Sequence, residues 1–106
     1  MQKKLLPVIQ NSSKIAWNIR RLLDAGIILK TDHVATEQNP ERLGETISEI
    51  EPYLKGRIYS KMCFSSNRCP GLSTTINNKS IKNIILCGIE THICIQQTAI
   101  ELYGEG

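Results

Sequence analysis

Apolar residues recur early in the chain at Ile15, Ala16, Ile19, Leu22 and Leu23. Their i, i+1, i+4, i+7, i+8 spacing is that of one buried helical face. Asn18, Arg20, Arg21 and Asp24 take the opposite side, so the pattern predicts a helix over residues 11–29. Asn11, Ser12 or Ser13 supplies an N-cap oxygen for the first-turn amides, and Gly26 marks the end or a weakening of the helix. Val34-Ala35-Thr36 reads as a short strand closed by the turn signal Asn39-Pro40. Residues 40–53 are polar and loop-like, with a possible short helix over 46–50. A second short strand is expected over 57–60, a break at Cys69-Pro70-Gly71, and a weak helix or linker over 73–82. Asn83-Ile84-Ile85-Leu86-Cys87 is a continuous apolar run, the pattern of a central parallel strand buried on both faces. Gly88-Ile89-Glu90-Thr91 then turns the chain into a helix over 92–103, where Ile95, Thr98, Ala99 and Leu102 share a face.

Helices alternating with buried-type strands predict an α/β fold with a parallel sheet. At 106 residues the chain has room for a single domain, 1–106. Few strands are visible and none follows the last helix, so the sheet is expected to be incomplete. A net charge of +3, with no run of Lys and Arg longer than two, leaves no basic stripe for nucleic acid. The longest apolar stretch is far too short for a bilayer, and no apolar h-region follows Met1-Gln2-Lys3-Lys4. A cytoplasmic protein with reduced thiols is the resulting expectation for Cys63, Cys69, Cys87 and Cys94.

The chemistry concentrates near Cys94. A strand–turn–helix puts the turn at the carboxyl edge of the sheet, where α/β folds bind ligands. Cys94 lies in the first helical turn, where the helix dipole and free amides favour a thiolate. Lys61, on another predicted strand edge, would add a cation, and the amides of Glu90 and Cys94 could face a developing oxyanion. This is what a cysteine hydrolase needs, but by spacing alone a small core cysteine is the better fit.

The segment Leu86-Cys87-Gly88-Ile89-Glu90-Thr91-His92-Ile93-Cys94-Ile95-Gln96-Gln97-Thr98-Ala99 resembles the nucleophile segment of the isochorismatase-like cysteine hydrolases. Thr36-Glu37-Gln38-Asn39-Pro40 and Ser60-Lys61-Met62-Cys63-Phe64-Ser65 are similar to segments of the isochorismatase domain-containing subgroup. The resemblance implies a three-layer, Rossmann-like α/β fold and a Cys-Lys-Asp triad acting on a small molecule, with hydrolysis of a C–N, amide-type bond. It implies no cofactor and no metal, and an association into homo-oligomers. Cys94 matches the nucleophile and Lys61 the triad lysine; Ile89, Glu90 and Thr91 match the oxyanion turn, and Phe64 is a pocket candidate. The family often has a cis peptide in that turn, here between Ile89 and Glu90. The triad aspartate matches no residue: the chain begins with what resembles the position after it, and neither Asp24 nor Asp32 corresponds. A catalytically inactive domain serving as an interaction module or relic is therefore the alternative.

Other readings are blander. The Cys and His spacings lack a C-x-x-C pair and disfavour zinc. His33 reads as a surface residue, Trp17 as a packing residue, Glu37 as a solvated loop carboxylate with a lesser claim on the pocket, Cys87 as strand core, and Cys63 and Cys69 as loop thiols.

Overall fold

A computed structural model describes residues 1–78 and 81–106, so part of the weak helix expected over 73–82 lies outside the described residues. Helix α1, Ser12–Ile28, forms where the apolar periodicity placed it. Ile15, Ala16, Ile19 and Leu23 face a core built with Ile47, Ile50 and Leu54. Leu22 sits beside Ile15 at the edge of this face, with Ala16 and Leu23 turned toward the other side of the stripe, and is half exposed. Trp17 is also exposed rather than packed, with the Arg21 guanidinium over its ring at 4.7 Å.

Gly26 lies inside α1, two residues before its last, Ile28. The helix ends in a Schellman arrangement, with Lys30 left-handed at φ 54°. Its N–H donates to the Ile27 carbonyl at 3.2 Å, and that of Thr31 donates to the Gly26 carbonyl at 2.9 Å. Glycine is needed there because the chain folds back over it: a Cβ would meet Thr31 Oγ1 at 3.0 Å and His33 Nδ1 at 3.3 Å. His33 is consequently half-buried, with Nδ1 enclosed and unpaired, instead of lying on the surface.

Strands β1, Ala35–Gln38, and β2, Ile58–Lys61, pair in parallel, with Ala35 opposite Ile58 and Gln38 opposite Lys61. Between them lie two one-turn helices, α2 at Pro40–Leu43 and α3 at Glu51–Leu54. The helix expected over 46–50 is therefore displaced to residue 51, where Pro52 supplies the preset φ of a first turn. Strand alternation separates two faces. Ala35 and Ile58 face the α1 core. Thr36, Gln38, Tyr59 and Lys61 face the other way, toward α4, Pro70–Asn78, and the final helix. The sheet is thus covered on both sides, giving a parallel α/β arrangement with helices on either face.

The run 83–87 departs from expectation: among the described residues it joins no strand, and Ile84 and Ile85 are 42% and 83% exposed. An apolar run records what a segment gains when covered on both sides, and among the described residues β1 pairs only with β2. Cys87 is accordingly exposed and not strand core. Cys69 lies in the loop just before α4, as expected, but is buried there. No described helix is long and apolar enough to cross a membrane.

Candidate active site

The carboxyl ends of β1 and β2 bring the site together. Gln38 and Lys61 are register partners pointing to the same face, and Lys61 Nζ donates to Gln38 Oε1 at 2.8 Å. The chain then curls around that ammonium, which also donates to the carbonyls of Cys63 at 3.1 Å and Phe64 at 2.8 Å. Its fourth neighbour is Cys94 Sγ, at 3.5 Å. Lys61 is only 6% exposed, and these partners are all uncharged oxygens except the sulfur. The ammonium is thus set beside the sulfur and shared otherwise with neutral acceptors.

Cys94 is half-buried in a single π turn, Thr91–Ile95, that continues into α5, Gln96–Gly104. Such turns concentrate at functional positions because they re-aim one side chain without breaking the helix. Two backbone conformations make the turn possible. Gly88 has φ 157°, and a Cβ there would meet Ile95 Cδ1 at 3.2 Å. Glu90 caps the helix in the left-handed region at φ 61°, ψ 50°. Among the described residues no peptide is cis, so the Ile89–Glu90 bond departs from the expected isomer and the left-handed Glu90 makes the bend instead. Ile89 and Glu90 are half-buried beside the turn, while Thr91 is exposed at its start. His92 Nε2 lies 3.7 Å from Glu90 Oε2 on the exposed side.

Phe64 contributes its carbonyl to Lys61, whereas its ring is 57% exposed at the rim. Cys63 is half-buried, with Sγ 3.4 Å from the Ser65 carbonyl. Glu37 points to the opposite face from Gln38 and is buried, not solvated; its Oε1 accepts the Thr46 N–H at 2.5 Å. Asp32 forms an ion pair with Arg57 at 2.8 Å. Cys87 is exposed as a residue, yet neighbouring atoms desolvate its sulfur and push the thiol up, with the Met1 amino group pulling the other way. That amino group is itself pushed down by burial, which Glu37 and Cys87 oppose.

Several polar residues hold this geometry that spacing did not single out. Gln2, 4% exposed, grips the backbone of Gln38 from both ends of its amide: Oε1 accepts the Gln38 N–H at 2.9 Å, and Nε2 donates to the Gln38 carbonyl at 2.8 Å. Nε2 also donates to the Gly44 carbonyl at 2.7 Å. Thr98, 2% exposed, joins α5 to the 65–68 turn. Its Oγ1 donates to the Cys94 carbonyl at 2.6 Å and accepts the Ser66 N–H at 2.8 Å. Ser66 Oγ in turn lies 2.9 Å from Thr36 Oγ1 on β1. For Thr98 the signal was its place on the face shared with Ile95, Ala99 and Leu102, one turn after Cys94; nothing in the sequence announces the Gln2 clamp.

Comparison with known proteins accounts for the fold. The sequence model described as "Isochorismatase domain" matches residues 1–106. Isochorismatase domain-containing protein 1 of Danio rerio is 35% identical over all of this chain, which covers 38% of that protein. Isochorismatase domain-containing protein 2A of Mus musculus is 36% identical, again over the whole chain, which covers 50% of it. The chain therefore spans about half the length, or less, of these relatives. A solved structure described as the MAR1 ribonuclease from Caenorhabditis elegans superposes with a TM-score of 0.89 at 36% identity, covering 99% of this chain and 54% of that one. The parallel α/β arrangement and the match along its full length place this chain in the isochorismatase family.

Proposed function

We propose that the chain carries the nucleophile and lysine of a small-molecule cysteine hydrolase site. The observation that carries the reading is the buried Lys61 ammonium 3.5 Å from Cys94 Sγ with no carboxylate among its hydrogen-bond partners in the described residues. Cys94 as thiolate attacks the carbonyl carbon of an amide-type substrate. A C–S bond forms, the carbonyl electrons move to oxygen, and the Glu90 and Cys94 amides receive that oxyanion. Collapse breaks the C–N bond as the leaving amine takes a proton from solvent, and water then hydrolyses the thioester, releasing the carboxylate and the Cys94 thiol. Lys61 supports the thiolate, Ile89 and Thr91 shape the turn, and Phe64 lines the entrance. Neither Asp24 nor Asp32 matches the family's triad acid, so that role is assigned to no residue of the chain.

A cytoplasmic setting belongs to the proposal, since all four cysteines are free. The substrate is a small molecule and not nucleic acid, because the charge is low and unclustered. The test is hydrolysis by the full protein against a panel of small amides, with RNA included because a solved relative is described as a ribonuclease. Cys94→Ala should abolish turnover of an amide while leaving the fold intact. Turnover that survives this substitution removes Cys94 as nucleophile, and RNA cleavage without amide cleavage replaces the substrate class.

A further inference from the structure

Lysine can donate three hydrogen bonds, so its ammonium must be shared among four neighbours. Three are fixed by the backbone or by a clamped side chain; the fourth is Cys94 Sγ. Of these three, only Gln38 Oε1 belongs to a side chain, and that side chain is itself held in place. Its Nε2 donates to the Met62 carbonyl at 3.0 Å, which orients the amide so that oxygen faces Lys61. Its backbone is gripped on both sides by the buried Gln2 amide. Glutamine fits this place for a specific reason. A carboxylate of the same length would bind the ammonium more strongly but cancel its charge. A methylene chain would leave the ammonium unanchored. An amide oxygen holds Lys61 in place and leaves its charge for the sulfur.

Resting on the Cys94–Lys61 reading above, we infer that Gln38, anchored by Gln2, is the positioning residue of the site: a deliberately neutral acceptor that aims Lys61 at Cys94 without neutralising it. Gln38 touches no reacting atom in this account and acts only through Lys61.

The test compares wild-type protein with Gln38→Glu and Gln38→Met, reading Cys94 alkylation by iodoacetamide at pH 7 by peptide mass. Cys63 in the same molecule is the internal reference, and thiolate absorbance at 240 nm and thermal melting are followed alongside. Iodoacetamide is uncharged, so a new carboxylate does not repel it. Gln38→Glu should slow Cys94 about tenfold and lower the thiolate absorbance, the effect of one carboxylate sharing the lysine with the sulfur. It should do so with little change in melting temperature, since the charged Glu–Lys contact offsets the lost Nε2 bond to the Met62 carbonyl. A structural role alone would not separate reactivity from stability in this way. Gln38→Met should slow Cys94 about fivefold, because a group out of position loses rate without losing charge.

A fast wild-type Cys94 with Gln38→Glu within twofold of it overturns the Gln38 assignment and leaves the nucleophile reading standing. A wild-type Cys94 no faster than Cys63 overturns both. Should Gln38→Glu fail to fold, Gln38→Met carries the test, and a rate within twofold of wild type overturns the proposal.

Discussion

Replacing Thr98 by valine removes one hydroxyl and changes almost nothing in volume. That hydroxyl has two jobs. It donates to the Cys94 carbonyl one turn back, and it accepts the Ser66 N–H from the turn beyond β2. The first bond runs within one helix and contributes about 1 kcal/mol. The second joins two elements: Thr98 is 2% exposed, so no water replaces it, and a polar group left without a partner costs about 1–3 kcal/mol. Adding the bond to Cys94, we expect Thr98→Val to destabilise the protein by about 2 kcal/mol. In a domain of about 100 residues that lowers the melting temperature by about 10 °C. Thr98→Ser keeps the hydroxyl and loses only a methyl group, so it should cost about half as much or less. Urea unfolding with a common slope measures both variants. Should Thr98→Val stay within about 0.5 kcal/mol of wild type, or Thr98→Ser lose as much as it does, the hydroxyl is not what joins α5 to the turn.

Other outcomes are equally specific. The Ser65 hydroxyl, and after it the Arg68 guanidinium, hold the Glu101 carboxyl below its ordinary value. A carboxyl lowered on folding stabilises the native state above its unfolded value, here about 4.5, and that contribution is lost as pH falls through the lowered one. The melting advantage of wild type over Glu101→Gln should therefore be full at pH 7 and gone at acid pH; a gap independent of pH contradicts it. The desolvated Cys87 thiol is pushed up and is less ionised at pH 7, so it should alkylate more slowly than Cys63 despite being exposed. Equal rates, read by peptide mass, would refute the desolvation argument.

Some of this architecture was legible in advance because it is local. The 3.6-residue spacing of Ile15, Ile19 and Leu23 fixes the buried face of α1 whatever surrounds it. Likewise, the glycine and turn before Cys94 report a backbone requirement visible in the residues themselves. Other features depend on partners distant in sequence. The run 83–87 has the composition of a buried strand, but composition does not say whether a neighbouring strand is paired to it. Glu37 looked like a loop carboxylate because the amide that buries it, that of Thr46, is nine residues away. The approach of Lys61 to Cys94 was expected from family resemblance, whereas its anchoring by Gln38 follows from the register of two strands, which no spacing rule supplies. Gln2 is 36 residues from the backbone it clamps, so its role becomes visible only in three dimensions.

The central claim is that Lys61 makes Cys94 a nucleophile, and its most direct test is the alkylation rate of Cys94 at pH 7 in wild type and in Lys61→Met. Methionine approximates the length of the lysine stem without the charge. The account predicts that wild-type Cys94 reacts at least about tenfold faster than Cys63, and that Lys61→Met removes most of this advantage in molecules that remain folded by circular dichroism. A Cys94 that reacts no faster than Cys63, or one whose rate is indifferent to the loss of the ammonium, would contradict it.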